Sequence, residues 1–183
     1  MLAPGDRLVA VLDTCVLAPM PLCDTLLRLA EEPAFYTPKW SSDILRELRS
    51  TLQRMGYTLA QADRRIAAMT GAFEDVRVED YEPLIEAMTN HPKDRHVLAA
   101  AVRCEAQVIV TFNVKDFGSD SVKPHGLDVL TPDAFLVNQM RFGPDAILEK
   151  LKAQATARGV ALDELLWRLE RSVPAAVRIL RRA

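Results

Sequence analysis

Two short, uninterrupted apolar runs constrain the fold of this chain more than any other feature. Residues 8–12 read LVAVL and residues 108–111 read VIVT. Strands that are buried on both faces have this pattern, and such strands occur in parallel sheets covered by helices. Between the two runs, apolar residues recur with helical spacing. We therefore expect an α/β protein with a mostly parallel central sheet flanked by helices.

The rest of the chain divides into weaker strands, several helices and a helical tail. Gly143-Pro144 interrupts the pattern, and only helical periodicity follows it, so we expect a domain at 1–140 and a helical extension at 141–183. Further strands are predicted at 34–37, closed by Pro38, at 76–78 as an edge strand, and at 128–130. Helices are predicted at 21–30, 42–55, 60–70 and 93–105, from 131 onward, and at 145–158, 162–171 and 174–182. Residues 113–121 are expected to form a loop.

Composition limits the kind of partner and the cellular compartment. The net charge is −2, so the surface as a whole does not attract nucleic acid, and any such binding requires a local basic patch. Three cysteines without regular spacing fit a reducing cytosol, and we expect Cys15 to be a small, buried, apolar residue. Met1–Arg7 has no signal-peptide pattern, so we expect a cytoplasmic protein that does not bind membranes.

Four acidic residues lie where predicted strands end or helices begin. Asp13 ends the first strand and Asp116 follows the strand VIVT, while Glu47 and Asp94 lie on predicted helices. The carboxyl ends of parallel strands meet at one edge of a sheet, where ligands bind. Carboxylates gathered there repel each other, and a divalent cation removes that repulsion. We expect a metal site, although helix capping or solvent exposure would also explain each residue singly.

Neighbouring side chains are candidates for supporting roles. Thr14 follows Asp13 directly, and Asp43 lies one helical turn before Glu47. Thr111 and Asn113 are suited to orient a water molecule or an acidic side chain. His96 is two positions beyond Asp94 on the same predicted helix, so we expect it to face away from the acidic residues. Basic residues that flank the acidic ones, and that could bind a phosphate backbone, are Arg46, Arg49, Lys93, Arg95 and Lys115.

The order of these features resembles a known family of nucleases. An aspartate after the first strand, a glutamate on a helix, the segment KDRHVLAAA and then VIVTFNVKDF resemble the PIN domain (PilT N-terminal) nucleases over about residues 7–137. The four acidic positions of the family fall on Asp13, Glu47, Asp94 and Asp116. Asn113 stands where some members carry another acid, which leaves open whether one metal ion is held or two. The helical tail resembles that of the longer VapC-type toxins.

This resemblance implies a fold, an activity and partners. The fold would be the three-layer PIN fold with a C-terminal helical extension. The activity would be cleavage of RNA with Mg²⁺ or Mn²⁺ held by the four acidic residues, and the partners would be an RNA substrate, an antitoxin protein that covers the acidic pocket, and a second copy of the chain in a homodimer.

Other interpretations remain open at this point. The chain could be a PIN-fold module that binds RNA or a partner without cutting, or a nuclease that acts on DNA. A phosphotransferase of the haloacid dehalogenase type would need a second aspartate where Cys15 stands. The basic tail could bind RNA, bind an acidic partner or close a dimer; its residues are Arg168, Arg171, Arg178, Arg181 and Arg182.

Overall fold

The valine-rich run at the start of the chain forms the central strand of the sheet. The computed structural model describes residues 7–182, apart from the side chain of Phe142. Its sheet has the strand order β3-β2-β1-β4-β5, and all pairings within the described residues are parallel. The expected α/β architecture is therefore confirmed. The strands are β1 (Leu8–Leu12), β2 (Tyr36–Ser41), β3 (Arg77–Val78), β4 (Val108–Val110) and β5 (Asp128–Leu130).

Helices cover the sheet and continue beyond its last strand. Two of them begin at side-chain caps: Ser41 accepts a hydrogen bond from the Ile44 amide, and Thr58 forms a reciprocal capping box with Gln61. The helices are α1 (Thr14–Leu17), α2 (Leu22–Ala30), α3 (Ser42–Arg54), α4 (Leu59–Gly71), α5 (Arg95–Arg103), α6 (Ser119–Val122), α7 (Pro132–Gln139), α8 (Pro144–Ala157), α9 (Leu162–Glu170) and α10 (Pro174–Leu180), with 3-10 turns at Glu82–Ala87, Pro92–Asp94, Val114–Asp116, Lys123–His125 and Met140–Phe142.

Two expectations about local structure are wrong. The second strand runs over Tyr36–Ser41 and contains Pro38, which we expected to close it. Proline is tolerated there because β3 pairs only with Trp40 and Ser41, so Pro38 precedes the part of β2 that is hydrogen-bonded on both sides. The expected loop at 113–121 contains a 3-10 turn and the start of α6, elements too short to leave a periodic pattern.

The strand order places a switch point beside β1. The chain moves outward from β1 to β2 and β3 on one side, and then continues through β4 and β5 on the other. Ligands of such sheets bind in the crevice at the carboxyl ends of the two strands that flank the switch point. Asp13 follows β1 and Thr111 follows β4. Because α5 leads into β4, it must run back from the carboxyl edge, which places Asp94 at that edge as well.

The C-terminal helices pack against the rest of the chain through buried polar contacts. The Thr25 hydroxyl donates to Gln154 Oε1 at 2.8 Å, and Gln154 Nε2 donates to the Pro21 carbonyl at 3.2 Å. Arg158 also pairs with Asp24 at 2.7 Å. The division at residue 140 stays a prediction.

The predictions about membranes and targeting signals are compared with the structure as far as it describes the chain. Between residues 7 and 182, every helix is too short or too polar to cross a bilayer. The expectation about targeting signals concerns residues 1–7, of which residues 1–6 lie outside the described residues.

One side chain ties the last helix to α7 and can be tested. Asp133 accepts hydrogen bonds from the backbone amides of Ala175 at 3.1 Å and Ala176 at 2.9 Å. It thereby caps α10, whose own N-cap residue, Val173, supplies no side-chain acceptor. We expect Asp133→Ala to lower the free energy of unfolding by about 1 kcal/mol, the usual effect of losing a cap. The melting temperature should fall by about 2–4 °C.

The controls for this test are a conservative variant and an exposed aspartate. Asp133→Asn keeps one acceptor oxygen and should lose less stability than Asp133→Ala. Asp128→Ala, on the exposed part of β5, should leave the melting temperature nearly unchanged. Equal melting temperatures for wild type and Asp133→Ala would show that the cap does not stabilise α10.

Candidate active site

Asp13 is fixed at the end of β1 by three neighbours from the adjacent strand and helix. Its amide donates to the Val110 carbonyl at 3.1 Å, which extends the β1–β4 pairing by one residue. Its Oδ2 atom accepts hydrogen bonds from the Thr111 hydroxyl at 2.7 Å and the Cys15 thiol at 3.2 Å. The side chain is buried, so the orientation of this carboxylate is set by the β1–β4 junction.

Cys15 belongs to this network and is not the purely apolar residue that we expected. Its Sγ atom accepts a hydrogen bond from the Phe112 amide at 3.2 Å and contacts the Thr111 hydroxyl at 3.3 Å. Burial and the neighbouring charge of Asp13 raise the pKa of Cys15 to about 12. The thiol therefore stays protonated and acts as a hydrogen-bond donor, and it is not a nucleophile at neutral pH.

Glu47 is held from both sides on α3. Its Oε2 accepts a hydrogen bond from Thr14 at 3.3 Å, and its Oε1 lies 3.1 Å from Nε2 of His96. The hydrogen bond from His96 lowers the pKa of Glu47 despite its partial burial. Burial disfavours the charged imidazolium, but the hydrogen bond and charge of Glu47 outweigh it and raise the pKa of His96.

The expectation that His96 faces away from the acidic residues is wrong. Asp94 belongs to a 3-10 turn, and α5 begins only at Arg95. The regular angular spacing of an α-helix therefore does not relate Asp94 to His96, and both side chains reach the same site. No pattern in the sequence shows where the 3-10 turn ends.

Asp94 is a buried carboxyl group whose pKa is raised by its surroundings. Its side chain is only 4% exposed. Burial raises its pKa, and the negative charges of Asp13, Asp116 and Glu47 raise it further. Its Oδ2 has no hydrogen-bond partner among residues 7–182. The charges of the other three predicted acidic residues therefore act on Asp94 at the carboxyl edge of the sheet.

Three of the four acidic residues, Asp13, Glu47 and Asp94, line a cleft of about 870 Å³. Asp116 lies outside its lining, on a 3-10 turn where its backbone carbonyl accepts from the His91 amide at 3.0 Å. Thr111 lies behind Asp13, and its own Oγ1 accepts from the Asn113 amide at 3.0 Å. The predicted site residues that line the cleft are Asp13, Thr14, Arg46, Glu47, Lys93, Asp94 and Asn113.

The remaining predicted residues lie outside the lining. Asp43 forms an ion pair with Arg46, and Arg49 pairs with Asp63 at 2.6 Å. Arg95 Nε donates weakly to the Asn90 carbonyl at 3.5 Å. Lys115 is exposed on the same turn as Asp116.

The sequence analysis does not identify the residues of α3 that form one wall of the cleft. Arg54 and the polar residues before it on α3 continue the face that begins at Glu47. The spacing of three, four and seven residues after Glu47 is that of one helical face, and this periodicity could have identified most of them. The lining residues that we did not predict are Cys15, Ser50, Thr51, Gln53 and Arg54.

The carboxylate oxygens of the cleft are chemically suited to a hard divalent cation. Carboxylate oxygens suit Mg²⁺, which keeps several water molecules and contacts one or two carboxylates. Asp13 and Asp94 are candidates for such a pair. Among residues 7–182, Oδ2 of Asp94 has no hydrogen-bond partner, and Nδ1 of His91 lies 3.9 Å from it. Within residues 7–182, however, no three His, Cys, Asp or Glu side chains converge closely enough to surround one ion.

Comparison with known proteins places the chain in a family. The family model of the PIN domain matches residues 9–115, more than half of the chain. A segment of 60 residues is 58% identical to a Mycobacterium tuberculosis protein named "Putative ribonuclease VapC50". That segment is 33% of this chain and 36% of the relative, so the match spans about a third of the relative's length. No solved structure matches the chain significantly.

The crowding of negative charge around Asp94 predicts how stability changes with pH. The folded-state pKa of Asp94 lies above its ordinary value of 3.8. Below pH 3.8 the carboxyl is protonated in both states and carries no penalty. As the pH rises through the raised pKa, the folded state must carry the repelled charge and loses stability. Without divalent cations, Asp94→Asn should therefore melt at a higher temperature than wild type at neutral pH.

The comparison is made by thermal unfolding in EDTA over a range of pH. The advantage of Asp94→Asn should shrink as the pH falls towards 3.8, because wild-type Asp94 then becomes neutral as well. Asp128→Asn, which changes an exposed aspartate of β5, should match wild type throughout. A lower melting temperature for Asp94→Asn at neutral pH would contradict the proposed repulsion.

Proposed function

Because the chain belongs to the PIN domain family, we propose that it is a metal-dependent endoribonuclease of the VapC type. The observation that carries this proposal is the buried Asp94 carboxylate. One of its oxygens has no hydrogen-bond partner among residues 7–182, and its pKa is raised by burial and by the charges of Asp13, Asp116 and Glu47. A protein retains such repulsion where an ion or a reaction requires the charge.

The four acidic residues Asp13, Glu47, Asp94 and Asp116 would hold Mg²⁺ or Mn²⁺. We assign the direct contacts to Asp13 and Asp94. Both carboxylate oxygens of Glu47 are engaged, by Thr14 and His96, whereas the side-chain hydrogen bonds to Asp13 reach only its Oδ2. Within residues 7–182, Oδ2 of Asp94 accepts no hydrogen bond. The bound ion would supply a Lewis acid that polarises the scissile phosphodiester and makes the attacking water more acidic.

The surrounding residues prepare the acidic groups for this task. Thr111 and Cys15 both donate to one oxygen of Asp13, so that the carboxylate cannot rotate freely. Glu47 stays ionised well below neutral pH because its pKa is lowered by the hydrogen bond from His96. Asn113 lies in the cleft lining, where its amide can orient a phosphate or a water molecule.

Basic residues at the rim of the cleft offset the repulsion between an acidic pocket and a polyanion. Arg46, Arg54 and Lys93 line the cleft and are exposed. Each can contact a phosphate oxygen without approaching the buried carboxylates. Arg49, Arg95 and Lys115 lie farther out and would contact the flanking phosphates of a longer RNA.

The partners follow from the same cleft and from the family. A toxin of this type would be silenced by an antitoxin protein that covers the acidic cleft, and an arginine of the antitoxin would pair with the carboxylates. We further propose that the active form is a homodimer in the cytoplasm.

One observation favours a second candidate function, that of a PIN-fold module that binds RNA or a partner protein without cutting. Among the described residues, Glu47 is committed to His96, and no three ligands converge on one point. If this arrangement persists with substrate bound, RNA would bind independently of metal. The dependence of cleavage on divalent cations separates the two candidates.

Substitution of the two central aspartates tests the proposed catalysis. Asp13→Asn and Asp94→Asn keep the size of the side chain but remove a charge that would hold the ion. We expect the rate of RNA cleavage to fall about 100-fold or more in each variant, the loss typical of removing one charge-stabilising group. Growth arrest on expression should also be relieved. The measurement is the appearance of cleaved RNA ends with Mg²⁺ or Mn²⁺.

Folding must be checked in the same variants. Circular dichroism and melting should show that both remain folded, and Glu86→Gln, an exposed acidic residue outside the cleft, should cleave like wild type. Wild-type cleavage rates in Asp13→Asn would overturn the assignment.

Metal binding has a readout that does not depend on cleavage. We expect Mg²⁺ or Mn²⁺ to raise the melting temperature of wild type, because a ligand that binds only the folded state stabilises it. The same concentration should have little effect on Asp94→Asn, which lacks the repelled charge. EDTA should abolish both the thermal shift and cleavage. Cation-independent melting, together with RNA binding in EDTA and no cleavage products, would favour the second candidate.

A further inference from the structure

A large aromatic side chain is left in solvent on the C-terminal helices. Trp167 of α9 is 66% exposed, whereas Leu165, Leu166 and Leu169 of the same helix are buried. The other tryptophan, Trp40, is completely buried. Exposing an indole ring costs hydrophobic free energy that a purely structural residue would not incur. Such residues are typical of binding surfaces.

Trp167 borders a shallow groove that is rich in arginine. The groove holds about 240 Å³. It is lined by α9 and the residue after it, by the residue that follows α8, and by the segment that connects α1 to α2. Met20, itself 44% exposed, adds a second apolar contact beside the indole. The groove therefore combines an apolar platform with positive charge; its lining residues are Met20, Pro21, Arg158, Trp167, Arg168 and Arg171.

The charge of this region is opposite to that of the whole chain. Residues 158–182 contain six arginines and only three acidic residues, while the chain carries a net charge of −2. Arg158 pairs with Asp24, and Arg168 pairs with Glu164. Arg171 forms no ion pair within residues 7–182. It lies four positions after Trp167 and therefore on the same side of the helix.

We propose that Trp167, Met20 and Arg171 form a binding site for single-stranded RNA, separate from the acidic cleft. This proposal rests on the proposed function, because it concerns the substrate of that cleft. A base stacks on the indole ring, and Arg171 contacts the adjacent phosphate. Aromatic rings next to arginines are the standard means of binding single strands without reading their sequence.

The positions of the two sites support one continuous substrate. Met20 follows Asp13 by seven residues, so their Cα atoms cannot lie more than about 25 Å apart. A short single strand can bridge this distance. An acidic cleft on an acidic protein attracts a polyanion poorly, and a remote basic and aromatic site supplies the missing affinity. An exposed indole ring beside Arg171, which forms no ion pair within residues 7–182, matches the adjacent base and phosphate of a single-stranded RNA.

Binding in EDTA tests the site without cleavage. A fluorescently labelled single-stranded RNA of about 12 nucleotides is titrated with wild type and variants while its anisotropy is followed. We expect Trp167→Ala to weaken binding about 5- to 100-fold, the range for loss of one stacked base. Trp167→Phe should recover much of the affinity. Arg171→Gln should reduce the salt slope by about 1, as expected for one lost phosphate contact.

The intrinsic fluorescence gives an independent readout. Because Trp40 is buried, RNA that stacks on Trp167 should quench the emission of the exposed indole, and Trp40→Phe should keep that quenching. Leu59→Ala removes another exposed apolar residue, 52% exposed on α4, and Arg77→Gln removes an exposed arginine of β3. Both controls should bind RNA like wild type.

The outcomes separate this inference from the proposed function. Weaker RNA binding by Trp167→Ala supports the site even if no condition produces cleavage, in which case only the catalytic proposal fails. Unchanged RNA affinity and no quenching overturn the site, even if the acidic cleft cleaves RNA. That result would leave the groove to a protein partner.

Discussion

The mutual repulsion of carboxylates at one edge of the sheet is the constraint on which the rest of the site depends. Asp94 is buried beside three other acidic groups, and its pKa is raised by burial and by them. The surrounding contacts each hold one of these charges in place: Thr111 and Cys15 hold Asp13, while Thr14 and His96 hold Glu47. The fold keeps these groups together because β1 and β4 are adjacent and α5 begins at the same edge.

The sequence predicts the parts of the fold that leave a periodic signal. The runs at Leu8–Leu12 and Val108–Val110 are buried strands in the structure, and the acidic residues that follow them lie at a common edge. Parallel strand order makes this inference possible before any contact is known. The extent of β2 could not be predicted, because Pro38 is permitted only by the shortness of β3. The orientation of His96 relative to Asp94 could not be predicted, because a 3-10 turn precedes α5.

Helix α3 carries both negative and positive side chains that line the acidic cleft. Glu47 lies at its inner face and is held by neighbours from β1 and α5, whereas Arg46 and Arg54 lie towards solvent at the rim of the same cleft. A single amphipathic element thus sets the distance between the acidic centre and its basic wall. The basic wall was only partly predicted, because the charged residues of a helix look alike in sequence whether they face a cleft or bulk water.

The hydrogen bond between Thr111 and Asp13 joins residues that are 98 positions apart in the chain. Asp94 and Asp116 also lie after β3 in the chain, beyond the strand and helix that carry Asp13 and Glu47. Because the N-terminal part of the chain is synthesised first, a ribosome that has made only the first three strands holds an incomplete set of acidic residues. The complete acidic centre therefore cannot form in nascent protein until β4 has been inserted next to β1.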